Sequence, residues 1–260
     1  MNETPDTLLA PEDLPAFTVG NETGRSPFLL VVDHAGKQIP ACLGELGLAT
    51  ADRERHIAWD IGAGAVADMM GAALDAVVIR QNYSRLVIDC NRMPATDTSI
   101  VSLSESTPVP GNVGLSEAHR STRVREVFDP YHNRIALELD RRHEAGRMTT
   151  LISVHSFTPL FKGVTRPWHI GVLYNRDVRF AHILLELLRR EAGLAVGDNE
   201  PYSVSDESDY TIPVHGEKRA LHHVGIEIRQ DLVTGKIGQR KWATLLARLL
   251  RQAHARLGDG

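Results

Sequence analysis

The sequence predicts an α/β fold, a three-layer α/β/α sandwich around a mixed, mainly parallel sheet. Two observations carry this. Short continuous apolar runs such as Phe28–Val32 suit strands buried on both faces. Segments with a helical repeat stand between them, so strand and helix alternate along most of the chain. The 260 residues show no internal repeat and no shift in composition. They are read as an irregular leader over residues 1–26 and a single α/β domain over 27–260.

In chain order, Phe28–Val32 is the first strand and runs into AspHisAlaGly. Residues 53–70 read as a helix, because Ile57, Ile61, Ala65 and Met69 recur every four positions. Residues 77–79 and 86–90 are two further β-branched runs. Residues 93–114 are rich in Pro, Ser and Thr and read as a long loop expected to border the binding pocket. Residues 115–129 and 131–144 read as helices broken or kinked at Pro130. Residues 149–154 and 169–174 are strands. Asp177 opens a helix that Gly193 closes, a turn follows at 197–201, 224–229 is a strand, and 235–257 holds a final amphipathic helix.

Composition removes several classes of function. Apolar residues make up 42% and charged residues 24%, which suits a globular chain and not a disordered one. A net charge of −4 and a pI near 6.3 argue against nucleic acid as a partner. No apolar run reaches the roughly 18 residues of a membrane span; the best, 65–79, is interrupted by Asp68 and Asp75. The N-terminus lacks the basic region of a signal peptide. The only cysteines, Cys42 and Cys90, are too few for a disulfide scaffold, so a cytoplasmic location is expected.

In open α/β sheets, ligands sit beyond the carboxyl ends of strands. Those ends carry Asp33 and His34, then Asp89, Asn91 and Arg92, then His155 and Ser156, with Glu227 and Arg229 two apart on one face of the last strand. Singly, each has a structural explanation: a cap, a turn, a satisfied core histidine. Together they suit a catalytic zinc site of two histidines and a carboxylate. His34 and His155 supply the nitrogens. Asp60 is the candidate carboxylate, at roughly 60° from Ile57 on a helical wheel, though it could equally pair with an arginine or cap a loop. Glu227 lies between Ile226 and Ile228, where a carboxylate needs a partner or a task such as proton transfer. Arg85, Arg92 and Arg229 offer guanidinium groups for a carboxylate or an oxyanion.

Six segments, in order over about 200 residues, resemble the N-formylglutamate amidohydrolase family. They are AspHisAlaGly with Pro40 following, HisIleAlaTrpAspIleGlyAla from His56, TyrSerArgLeuValIleAspCysAsnArg from Tyr83, ValHisSerPhe from Val154, GlyAspAsnGluProTyrSer from Gly197 and GlyIleGluIleArgGlnAspLeu from Gly225. More distantly the order is similar to zinc carboxypeptidases and aspartoacylases, which implies a zinc-carboxypeptidase/phosphorylase-hydrolase-like sheet with helices on both sides. The resemblance implies one zinc ion per chain, with His34 as its first ligand and His155 as its last. It also implies Asp89 orienting His34, Asn91 and Arg92 on the substrate carboxylate, Arg85 near the scissile carbonyl, and Glu227 as general base and acid. The implied reaction is hydrolysis of a small anionic N-formyl or N-acyl amino acid by metal-activated water.

The distant families place a glutamate three residues after the first histidine, where this chain has Lys37. Asp60 would then replace it. Lys37 also motivates a competing reading: a metal-free ligand-binding or inactive relative that keeps the arginine pocket. A third reading, a metal-free hydrolase using Ser156 or Cys90, lacks any Gly-x-Ser-x-Gly elbow.

Overall fold

The computed structural model describes residues 7–258. Its strands are β1 (Phe17–Gly20), β2 (Phe28–Val32), β3 (Val77–Gln81), β4 (Leu103–Ser104), β5 (Thr107–Pro108), β6 (Thr150–Phe157), β7 (Leu160–Phe161), β8 (Val164–Thr165), β9 (Ile170–Leu173), β10 (Val196–Asp198) and β11 (His222–Arg229). Its α-helices are α1 (Thr50–Arg53), α2 (Ala63–Leu74), α3 (Glu117–Arg123), α4 (Asp129–Glu144), α5 (Arg179–Arg189) and α6 (Lys236–Gly258). Seven strands form one mixed sheet in the order β1-β3-β2-β6-β11-β9-β10. Its centre, β3-β2-β6-β11, is parallel. The flanking pairs β1-β3 and β11-β9 are antiparallel.

Side chains alternate across the sheet because a strand repeats every two residues. Leu30, Val32, Ile152, Val154, Ile226 and Ile228 pack on one side against α2, α5 and α6. Leu29, Val31, Val77, Ile79 and Leu151 pack on the other against Tyr131, Ile135 and Leu139 of α4 and the apolar residues 86–88. Both faces are covered, as the three-layer reading requires. No described helix is long and apolar enough to cross a membrane.

Five expectations are corrected. The predicted helix 53–70 is instead α1 and α2, separated by turns. The chain is not helical over 54–62, and the last of these residues, Gly62, has φ +82° and approaches the Val233 carbonyl so closely that a Cβ would lie 2.2 Å from it, so α2 begins only after this glycine. Asp60 therefore sits in the turn before α2 and not on a helix. The run 86–90 is buried but is not a strand, because side chains take its carbonyls: Asn112 that of Leu86 (2.8 Å), Arg123 that of Val87 (2.8 Å) and His132 that of Cys90 (2.8 Å). The stretch read as an irregular leader contains β1, paired with β3; its residues 1–6 lie outside the described ones. Pro130 does not end the helix: the chain stays helical from α3 through a π-turn over Val124–Phe128 into α4, and that wider turn accommodates the residue that cannot donate. Finally, β6 runs on past Val154, so His155 and Ser156 lie within a strand.

His132 and His215 form a buried pair behind the sheet ends, with His132 Nδ1 3.0 Å from His215 Nε2. The Cys90 carbonyl only accepts, so His132 Nε2 carries a hydrogen; its Nδ1 then accepts from His215. Burial pushes His132 down to about 4 and His215 down to about 3. Both are neutral when folded, and the unfolded chain binds more protons below its ordinary histidine pKa, so stability falls as pH drops from about 6.5. His215→Gln keeps a donor facing His132. Between pH 7 and pH 4 the wild type is expected to lose roughly 3 kcal/mol more stability than this variant, measured by urea denaturation. Equal losses would show that the pair does not titrate in this way.

Candidate active site

A cavity of about 920 Å³ opens on the α4 side of the sheet, where parallel strands β2, β6 and β11 end. At its floor the apolar alternation of the strands gives way to Ser153, His155, Gly225 and Glu227. Its walls come from irregular segments around Arg85–Arg92, Thr98–Glu105 and Asn199–Asp209. The loop 93–114 therefore does border the pocket, through Thr98, Val101, Leu103, Ser104 and Glu105.

Three buried groups converge on this floor. His34 Nδ1 lies 3.5 Å from Asp60 Oδ2, and His155 Nδ1 lies 2.9 Å from the same oxygen. Backbone contacts hold them there. The Asp60 N–H donates to the His34 carbonyl (2.9 Å), and the Ser156 N–H donates to Asp60 Oδ2 (3.2 Å). The outer nitrogens are each answered by a carboxylate. His34 Nε2 is 2.7 Å from Asp89 Oδ1, and His155 Nε2 is 3.3 Å from Asp33 Oδ2 and 2.9 Å from Ser153 Oγ. An imidazole held in this way leaves the opposite nitrogen for a metal.

The electrostatics are those of a buried cluster balanced by its own members. Burial would raise the Asp60 and Asp89 carboxyls, yet neighbouring cations hold both well down: His34 and His155 beside Asp60, Arg85 and His34 beside Asp89. Burial would likewise raise Asp33, but His155 holds it at about 2. Glu227 behaves oppositely. It faces His155 across the β6-β11 register, and burial pushes its carboxyl up to about 7. Two buried atoms here have no hydrogen-bond partner, His34 Nδ1 and Glu227 Oε2. His34, Asp60 and His155 offer ligand atoms all within 4.8 Å of one another. Two imidazole nitrogens and one carboxylate oxygen suit a divalent transition metal and leave a fourth position open. The residues present therefore fit such an ion.

The cations divide. Arg85 lines the cavity and bridges two carboxylates, with Nη2 2.5 Å from Asp89 and Nη1 3.7 Å from Asp60. Arg92 lines it too, donating to the Ser208 carbonyl with Asp209 at 3.9 Å. Asn91 is on the same wall, but its side chain is already engaged: Oδ1 accepts from the Tyr210 and Thr211 N–H groups and Nδ2 donates to Asp209. Arg229 is not brought to the cavity. It ends β11 in a two-pronged pair with Asp231 at 2.8 and 3.2 Å. Lys37 is likewise elsewhere, paired with Glu54 and lying over the Trp59 ring. Lys162, on the β7–β8 hairpin, is a lining residue that sequence reasoning missed, and it has no acidic partner among the described residues.

The metal-free nucleophile readings find no support in this geometry. Ser156 Oγ donates to the Ile61 carbonyl (2.9 Å) and not to a histidine. Burial pushes the Cys90 thiol well up, away from thiolate.

Comparison with known proteins bears on the whole chain. A family model described as N-formylglutamate amidohydrolase matches residues 26–234. A gene product of Agrobacterium tumefaciens of solved structure is 35% identical, with a TM-score of 0.94 over 96% of this chain and 99% of that one. An N-formylglutamate amidohydrolase from Ralstonia eutropha JMP134 shares the fold at 19% identity, with a TM-score of 0.74 over 94% and 100%. No curated protein matches the chain.

One wall of the cavity depends on a missing side chain. Gly171 pairs with Glu227, and a Cβ on it would lie 1.9 Å from the Glu200 carbonyl oxygen. Only glycine lets the segment carrying Glu200, Pro201 and Tyr202 close over β9. Gly171→Ala is expected to cost about 1–3 kcal/mol of stability by overpacking, read as a lowered denaturant midpoint. An unchanged midpoint would mean that this wall is loosely held.

Proposed function

The chain belongs to the N-formylglutamate amidohydrolase family and is an enzyme acting on an amide; from that premise we propose that it hydrolyses the amide of a small N-formyl or N-acyl amino acid, N-formylglutamate foremost, using one zinc ion held by His34, Asp60 and His155. The observation that carries this reading is the convergence of two imidazole nitrogens and a carboxylate oxygen beside a buried, unpartnered glutamate. Zinc in such a set supplies Lewis acidity, lowering the pKa of water and polarising a carbonyl.

The protein's own residues supply the rest. Glu227, with a carboxyl poised near neutrality and a free Oε2, accepts the proton of the attacking water and returns it to the leaving amine. Asp89 orients His34 from its outer nitrogen. Arg85, fixed by Asp89 and Asp60, places a guanidinium beside the centre to stabilise charge developing on the carbonyl oxygen. Arg92 receives the substrate's α-carboxylate, and Asn91 holds the wall it works from. Arg229 is not needed at the substrate in this reading, because Asp231 already occupies it. A glutamyl substrate brings a second carboxylate, and Lys162 is the lining cation left to meet it.

The deciding experiment measures metal content and N-formyl-L-glutamate turnover together. The wild type is expected to carry about one zinc per chain. His155→Ala should lose both metal and activity. Glu227→Gln should keep the metal and lose activity by roughly 10²–10⁴-fold. Absence of metal from the wild type purified without chelator would overturn the zinc reading in favour of a metal-free binding protein. Metal without turnover would move the substrate to other N-acyl amino acids.

Lys162→Met is expected to raise KM for N-formyl-L-glutamate about tenfold, the effect of roughly 1.4 kcal/mol. It should leave kcat, and all parameters for N-formyl-L-leucine, unchanged. Equal effects on the two substrates would remove Lys162 from substrate recognition.

A further inference from the structure

The outer hydrogen bonds of the two histidines join into one closed circuit. From His34 it passes through Asp89 Oδ1, which also accepts the Asn91 N–H at 2.9 Å. Asn91 Oδ1 then accepts the Thr211 N–H at 3.0 Å. Thr211 Oγ1 donates to Asp33 Oδ1 at 2.8 Å, and Asp33 Oδ2 lies 3.3 Å from His155 Nε2. His155 and His34 meet again at Asp60. Every member except Asn91 is buried.

Asp33 stands out because it only accepts and is fully supplied. Tyr131 Oη donates to its Oδ1 at 2.9 Å beside Thr211, and Ser153 Oγ donates to its Oδ2 at 3.3 Å. Ser153 Oγ, having given its hydrogen to Asp33, can only accept from His155 Nε2 at 2.9 Å. Nε2 of His155 therefore carries a hydrogen, while Nδ1, turned to the centre, faces the Asp60 carboxylate at 2.9 Å and donates to it until a metal takes that place.

Resting on the zinc reading above, we propose that Asp33, held by Thr211, is a positioning residue that sets the ring orientation and tautomer of His155. Through Thr211 and Asn91 it also ties that ring to the wall carrying Arg92. Asp33 neither meets substrate nor serves as a ligand. Its effect is to keep the hydrogen of the neutral ring on Nε2, so that Nδ1 is the nitrogen that gives up its hydrogen to a metal. An asparagine at this position turns an amide N–H toward Ser153, reverses the donation, and leaves His155 with its hydrogen on Nδ1.

The test compares wild type, Asp33→Asn, Thr211→Val and Thr211→Ser by two readouts. Zinc affinity is measured by competition with a chelator. The His155 tautomer is read from imidazole ¹⁵N shifts of the metal-free protein at a pH high enough for the ring to be neutral. Asp33→Asn is expected to weaken zinc about 10- to 100-fold and to move the hydrogen to Nδ1. Thr211→Val should weaken zinc by a smaller factor, and Thr211→Ser, which keeps the hydroxyl, should restore wild-type affinity. Wild-type affinity and an unchanged tautomer in Asp33→Asn would overturn the proposal. Wild-type protein that binds no zinc would overturn the metal reading instead, and the tautomer readout would still decide the role of Asp33. Circular dichroism and a cooperative unfolding transition identify any variant that fails to fold, in which case Thr211→Val against Thr211→Ser decides.

Discussion

A charge with little access to water must be answered by a partner, and this molecule has gathered Asp33, His34, Asp60, Asp89, His155 and Glu227 in one such place. Almost every irregular feature near the sheet ends serves that requirement. The turn that carries Asp60 interrupts a helix so that one carboxylate oxygen meets both imidazoles. The segment from Arg85 to Arg92 leaves the sheet so that Asp89 stands behind His34 and Arg85 stands across both aspartates. The helices packed on the opposite side of the sheet are regular by comparison, with an ordinary apolar core. Order on one side supports the electrostatic demands on the other.

The cluster also explains why Glu227 differs from its neighbours. Asp33, Asp60 and Asp89 each have direct cationic or hydrogen-bonding partners, which hold them ionised against burial. Glu227 shares the burial but has one oxygen without a partner, so its carboxyl rises toward neutrality. Four carboxylates within one site thus divide into three that hold position and one suited to moving a proton.

Much of this was legible in the sequence, and the unread parts have identifiable causes. The parallel sheet and both histidines can be read because strand ends are marked by a change from apolar runs to ionisable residues. Asp60 can be suspected from its neighbours, but its turn cannot, since the four-residue repeat runs on through residues 54–62 where the chain is not helical, and the close approach of Gly62 to Val233 is a long-range fact. Arg229 lies away from the cavity for a reason the sequence does not display. Alternation puts it on the face of Glu227, but the strand ends there and Asp231, two residues on, takes its guanidinium. Asp33 was visible beside His34, yet its partnership is with His155, 122 positions away on the adjacent parallel strand. Such a link depends on which strands lie side by side, a fact that local pattern does not carry.

The run 86–90 bears on how freely this fold can vary. Loops ordinarily absorb insertions and deletions because their own backbone faces water. Here Asn112, inside the long loop, holds the Leu86 and Val101 carbonyls, and Arg123 holds the Val87 carbonyl and the Asn112 side chain. The loop is therefore a structural cross-brace, anchored at Asn112 to the buried backbone it supports. A lineage exploring new substrates has little room to shorten or graft this stretch. Change would be confined to the tips that reach the cavity, such as Leu103 to Glu105, while the stem stays constant.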